Sequence, residues 1–409
     1  MRLMPPSAGL PARLVLVTRG LRGLADGCIA VLLPAYLLLL GFDAFEIGVL
    51  TTATLLGSAA LTLLVGLKAH ARSLRLLLIA TGCLMAATGA GFAFVRDFAP
   101  LLVVAFVGTL NPSSGDVSVF LPLEHSVLSR AIADADRTDL FARYSLVGSL
   151  CGAFGTLLAA LPDWVARISE VGRLEAFRAV FLLYGAIGIA AAAIYRGLPK
   201  ERARVENGGS APKPAGLGPS RPIVLRLAAL FSVDSFAGGL VTQSLLVLWL
   251  FEWFDLSVAA AAEILFWMGL LASISYLLAA RIAARIGLIR TMVFTHLPAS
   301  FCLAALPFAP SLWVAVALLL VRGLFSSMDV PARSSYVMAV VTPEERPAAA
   351  SITAVPRSLA AAIGPSIGGF LLTVSPFGWP FLAGGALKAA YDLTLLGMFR
   401  NVRPPEEKP

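Results

Sequence analysis

Apolar residues run through this chain in stretches of twenty or more, broken by short clusters of glycine, proline and charge. A helix needs about 20 apolar residues to cross a bilayer, and hydropathy with that punctuation predicts twelve such helices. They fall at residues 14–40, 46–68, 74–95, 99–129, 140–165, 176–197, 222–251, 258–286, 288–309, 311–341, 348–375 and 379–400. One polar stretch, with Asn207-Gly208-Gly209-Ser210 and several prolines, separates the sixth helix from the seventh. The expected organisation is a six-helix bundle over 1–198, a cytoplasmic linker over 199–221 and a second bundle over 222–409.

Composition points the same way. Of 409 residues, 58% are hydrophobic and 14% charged, with mean hydropathy +0.85. Soluble domains run at about 45–50% apolar and about 25% charged. Lipid is therefore the solvent, which excludes a soluble enzyme, a nucleic-acid module and a disordered chain. The four cysteines all lie in apolar runs and the three histidines (His70, His125, His296) are far apart, so no metal site or cofactor is expected. The basic and then apolar N-terminus lacks a small-residue cleavage site and reads as a first spanning helix that stays.

Charge sets the orientation. Most of the 32 lysines and arginines flank the termini and the 2–3, 4–5, 6–7, 8–9 and 10–11 connections. The opposite loops hold only Arg96, Arg167, Arg173 and Arg178. The positive-inside rule then puts both termini in the cytoplasm and accounts for the net charge of +8 without a nucleic-acid partner. Trp164, Trp249, Trp253, Trp313 and Trp379 fall near the outer helix ends, as interfacial aromatics do.

The halves repeat. Ser113-Ser114-Gly115-Asp116-Val117 in helix 4 matches Ser326-Ser327-Met328-Asp329-Val330 in helix 10, 213 residues on, and Arg143 matches Arg357, 214 residues on. The loops after helices 2 and 8 correspond too, Gly66 to Arg72 with Ala280 to Arg285-Ile286-Gly287. Repeated six-helix halves are a secondary-transporter architecture, with the substrate near the midplane.

With these residues the chain resembles the major facilitator superfamily, of the 12-helix, efflux-permease-like type, over nearly its whole length. Pro343-Glu344-Glu345-Arg346-Pro347, Arg357 and Gly364-Pro365-Ser366-Ile367-Gly368-Gly369 resemble its 10–11 loop and helix 11. The loop after helix 8 is similar to its Gly-x-x-x-Asp-Arg-x-Gly motif, with Arg285 and Gly287 in place. The loop after helix 2 keeps Gly66 and Arg72 but has His70 at the acidic position. Helix 5 carries only Gly148-Ser-Leu-Cys-Gly152 of the antiporter signature. Such small residues also let helices pack closely in lipid. The resemblance implies an all-α membrane protein with two pseudo-symmetric bundles, and a central cavity lined by helices 1, 4, 7 and 10.

An intramembrane charge costs roughly 2.5–3.5 kcal/mol on insertion scales, so each needs a partner or a role. Arg22 with Asp26, Asp329 with Arg333 and Lys388 with Asp392 are four residues apart and share helix faces. Asp116, Asp234, Arg322 and Arg357 have no partner on their own helices. Asp116 and Asp234 are the proton-coupling candidates. Arg22, Asp26, Ser113, Ser114, Ser326, Ser327, Arg322, Asp329, Arg333 and Arg357 are the candidates for cavity or gate. Glu124 and His125 read as an exposed helix end or a cap. No HExxH or Walker A sequence occurs, and the G-x-S-x-G at Gly364 lies inside an apolar helix, so an enzyme is not expected. The expected function is proton-coupled efflux of a small solute by a monomer in a bacterial inner membrane, with uptake of a polar metabolite as the alternative.

Overall fold

A computed structural model describes residues 9–68, 73–112, 118–131, 137–199, 218–342, 345–400 and 402. Among the described residues there is no β-strand. The first half of the chain forms α1 (Leu10–Leu39), α2 (Ala44–Lys68), α3 (Leu74–Phe94), α4 (Phe98–Val107), α5 (Phe120–Arg130), α6 (Arg137–Leu158), α7 (Leu161–Ile168) and α8 (Arg173–Tyr195). The second forms α9 (Arg221–Leu240), α10 (Gln243–Phe254), α11 (Val258–Ile286), α12 (Leu288–Ala305), α13 (Leu312–Phe325), α14 (Asp329–Ala339), α15 (Arg346–Val374) and α16 (Trp379–Phe399). Ten described helical stretches are long and apolar enough to cross a membrane. The two other expected crossings are the fourth, where α4 is a ten-residue apolar helix, and the twelfth, where the 21 residues of α16 include Lys388 and Asp392.

Four helices predicted as continuous are broken. The fourth stops at Gly108 and resumes at Phe120, the fifth pauses at Ala159–Ala160, the seventh at Val241–Thr242, and the tenth at Ser326–Met328. Proline explains where the chain resumes. Pro122 and Pro331 each fall in the first turn of a new helix, where a missing N–H costs nothing. Carbonyls freed at the breaks need donors inside a membrane. The Pro112 carbonyl accepts from the Ser244 hydroxyl (2.9 Å) and amide (3.3 Å).

The chain forms two compact units, one of residues up to Val205 with Gln243–Phe266, the other of Glu206–Thr242 with Trp267 onward. The short segment Gln243–Phe266 thus groups with the first unit, although it follows the linker in sequence. In the first unit α1 packs on α6 and α3 on α8; in the second α9 packs on α15 and α12 on α16. Equivalent helices of the repeat therefore pair alike. Glycine makes the closest of these contacts possible. A methyl on Gly27 would overlap the Gly152 carbonyl across α1 and α6, and one on Gly239 would overlap the Ala361 carbonyl across α9 and α15. Gly148 faces the Arg19 guanidinium, and Gly364 lies against Gly239. Pro365 lies within α15, as do Gly368 and Gly369. Gly287 joins α11 to α12 at φ 87°, a left-handed turn that favours glycine, beside the exposed Arg285. Gly66 lies in the last turns of α2, and Arg72 lies outside the described residues. Trp249, expected at an interface, is instead buried and stacks on Trp253 at 6.2 Å.

One polar anchor lies outside the spans. The Glu345 carboxylate accepts from Ser220, from the Gly218 amide and from the Thr342 hydroxyl (3.2 Å). These donors, Ser220 foremost, hold it below the usual glutamate range. A depressed carboxylate contributes stability above its unfolded pKa of 4.5 and loses it as pH falls through the folded value. Glu345→Gln should therefore lower the Tm at pH 7, and the gap to wild type should close as the pH drops below 4.5. A gap that widened in acid would contradict this assignment.

Candidate functional site

Each unit contains a buried charge network built around a carboxylate. In the first unit the acid is Glu124 of α5, fully buried. It accepts from Arg22 of α1, from Tyr144 of α6, from Tyr195 of α8 (2.6 Å) and from Thr18 of α1 (3.2 Å). Its apolar surroundings are Ala12, Val15, Leu128 and Leu140. Arg22 also lies over the Phe120 ring, 3.9 Å from its centroid. Glu124 is thus no exposed helix end, because three other helices close over it. His125 packs edge-on against Phe141 and Tyr144.

The expected Arg22–Asp26 pair does not form; Arg22 is taken by Glu124. Asp26 is left partly open, with no hydrogen bond or ion pair among the described residues. Ser113, Ser114 and Asp116 lie outside the described residues.

In the second unit the centre is Asp234 of α9, 5% exposed. Lys388 of α16 reaches one of its oxygens at 2.6 Å, and Arg333 of α14 reaches the other at 3.1 Å. His296 of α12 lies between two acids, with Nε2 3.8 Å from Asp234 and Nδ1 3.0 Å from Asp392 of α16. Asp392 also accepts from the Ser300 hydroxyl at 3.3 Å. Arg333 bridges onward to Asp329 at 3.4 Å, the one same-helix pair of the three expected that is made. Lys388 and Asp392 do not pair with each other, since each has a better-placed partner on another helix. Arg357 of α15 is partly buried and donates its Nε–H to Ser235 at 2.9 Å. Phe231 and Tyr391 pack beside these charges, Phe231 5.7 Å from the Arg333 guanidinium.

The second network thus collects α9, α12, α14 and α16 through Asp234, with α15 joined by Ser235. Sequence reasoning missed His296, whose partners lie 62 and 96 residues away. Its polar side chain within an apolar run was the available signal. Ser326 and Ser327 sit at the α13–α14 break and make no side-chain hydrogen bond among the described residues. Arg322 is partly buried in α13 with no carboxylate partner among them. Separately, a cavity of about 750 Å³ opens in the first unit beside Leu39, Asp163, Arg167, Glu170, Arg173 and Asp255, and none of the buried network lines it.

Comparison with known proteins supplies the family. The sequence profile described as Major Facilitator Superfamily matches residues 15–321 and 227–409. The chain belongs to the Major Facilitator Superfamily. This superfamily member is a multi-pass membrane protein with the family and fold of secondary transporters. It is 22% identical over 413 residues to the uncharacterized membrane protein YJR124C of Saccharomyces cerevisiae, covering 93% of this chain and 92% of that one. Its fold is similar to that of the nucleoside transporter NupG (TM-score 0.72, 14% identity, 95% and 99% of the two chains). It is likewise similar to an occupied, inward-facing bacterial homologue of the human lysosomal transporter Spinster (TM-score 0.72, 17% identity, 96% and 97%). The human organic anion transporter MFSD10 shares the fold at TM-score 0.64 and 18% identity, over 96% and 100% of the chains.

Proposed function

We propose that this transporter couples the movement of a small organic solute to protons, with Asp234, His296 and Asp392 as its proton-binding groups. The observation that carries the reading is the buried acid–histidine–acid chain, held on three helices and shared with two cations. Histidine is the side chain whose ordinary charge change lies nearest neutral pH. Protonating Asp234 removes the charge that holds Arg333 and Lys388 together, leaving Arg333 with Asp329 alone and Lys388 in need of a new partner. A packed bundle answers such a change by switching between discrete arrangements. Asp116 keeps its place as a second candidate by the repeat. The open carboxylate of Asp26 is available in the first unit.

Relatives named for nucleosides and organic anions support a small organic solute. Export is the direction favoured by the resemblance to efflux permeases. Uptake of a polar metabolite is the second reading, favoured by how heavily charged the second unit is inside. The asymmetry of lysine and arginine supports cytoplasmic termini, and alanine- and arginine-rich usage supports a bacterial inner membrane.

The test is solute flux in proteoliposomes under an imposed pH gradient, across a panel of anions, cations and neutral solutes. At least one solute should move only in sealed vesicles, with a flux that follows the gradient and stops when a protonophore collapses it. Flux indifferent to the gradient would remove proton coupling, and turnover in leaky vesicles would remove transport.

A further inference from the structure

Arginine is the one intramembrane cation that cannot shed its charge to suit its surroundings. A guanidinium held among spanning helices therefore needs an anion or water at all times. In the second unit, Lys388 and Arg333 are both matched to carboxylates. Arg357 is not. Its single hydrogen bond among the described residues is from Nε to the neutral Ser235 hydroxyl. Its terminal nitrogens make none, and the side chain is only partly buried. The charged and titratable groups that act on Arg357 are Arg333, Asp234, Asp329 and Tyr391. Both of those acids are already engaged by Arg333, and Asp234 by Lys388 as well.

We propose that Arg357, fixed at Nε by Ser235, is where the transported solute's anionic group binds, a carboxylate or a phosphate. The inference rests on the transporter reading and names its substrate class. Anchoring at Nε leaves the outer edge of the fork free, and that edge matches two oxygens of one anion. Ser235 sits beside Asp234 on α9, so the anion site and the proposed proton site share a helix.

The test is ligand binding to the purified full-length protein in detergent, read as a saturable rise in Tm. The probes are lactate, succinate, benzoate and glycerol 3-phosphate, against glucose, glycerol and choline. At least one anion should bind, and the carboxylates and the phosphate ester tell the two anion chemistries apart. Arg357→Gln, checked as monodisperse by size-exclusion chromatography, should lose about tenfold or more in affinity for that anion. Arg357→Lys should fall between, keeping charge without the fork, which guards against a variant that merely misfolds. Binding of choline or glucose in preference to every anion would overturn the proposal. So would no anion binding by the wild type, or equal anion binding by Arg357→Gln. Gradient-driven flux of a neutral solute would keep the transporter reading and remove this one. Anion binding lost in Arg357→Gln, with no flux of any solute, would do the reverse.

Discussion

Asp234→Asn is expected to abolish proton-driven transport and to destabilise the second unit by about 3–5 kcal/mol, the usual cost of removing one partner of a buried ion pair. The carboxylate binds Lys388 at 2.6 Å and Arg333 at 3.1 Å, with His296 at 3.8 Å. Asparagine keeps the shape and one carbonyl oxygen but no charge, so two cations lose their main counter-ion. Arg333 retains Asp329; Lys388 retains no carboxylate within salt-bridge distance among the described residues. Adding Lys388→Met removes the stranded ammonium and should restore much of the lost Tm, while coupling stays absent. A single variant that melts like wild type would show that the network is not formed as described. A double variant that regained proton-driven transport would separate Asp234 from coupling.

Glu124 should be the more sensitive point of the first unit. Four donors from α1, α6 and α8 converge on its carboxylate. Glu124→Gln leaves the Arg22 guanidinium buried over the Phe120 ring without its ion-pair partner. A loss of about 3–5 kcal/mol is expected here too, read as a drop in Tm in detergent. Glu124→Ala should be worse, because the Tyr144 and Tyr195 hydroxyls then have no acceptor. A cycle with Arg22→Met isolates the pair: the second change should cost little once the first is made. Additive losses would mean that Arg22 and Glu124 do not depend on each other.

The spans were legible because lipid demands an unbroken apolar run, and their ends agree with the observed helices within a few residues. The breaks were half legible. The helix-breaking Pro112 and Pro331 marked two of them, but nothing local announced Ala159–Ala160 or Val241–Thr242, the latter where the chain passes from one compact unit to the other. Pairing across helices was hidden. Spacing along one helix suggested Arg22 with Asp26 and Lys388 with Asp392, yet side chains on a bundle's inner face meet other helices first. Thus Arg22 goes to Glu124, Lys388 to Asp234 and Asp392 to His296. Glu124 looked exposed because it lies near the end of its apolar run. Only the structure shows Tyr144 and Tyr195 closing over it.

The central claim is that protons and solute move through one coupled cycle centred on Asp234. The most direct measurement traps a pH-sensitive dye inside proteoliposomes and follows proton and radiolabelled solute movement together, for wild type and Asp234→Asn. Wild type should move protons only when solute moves, in fixed proportion, whereas Asp234→Asn should still exchange labelled solute without moving protons. Solute flux in wild type with no proton movement, or unchanged coupling in Asp234→Asn, would contradict the account.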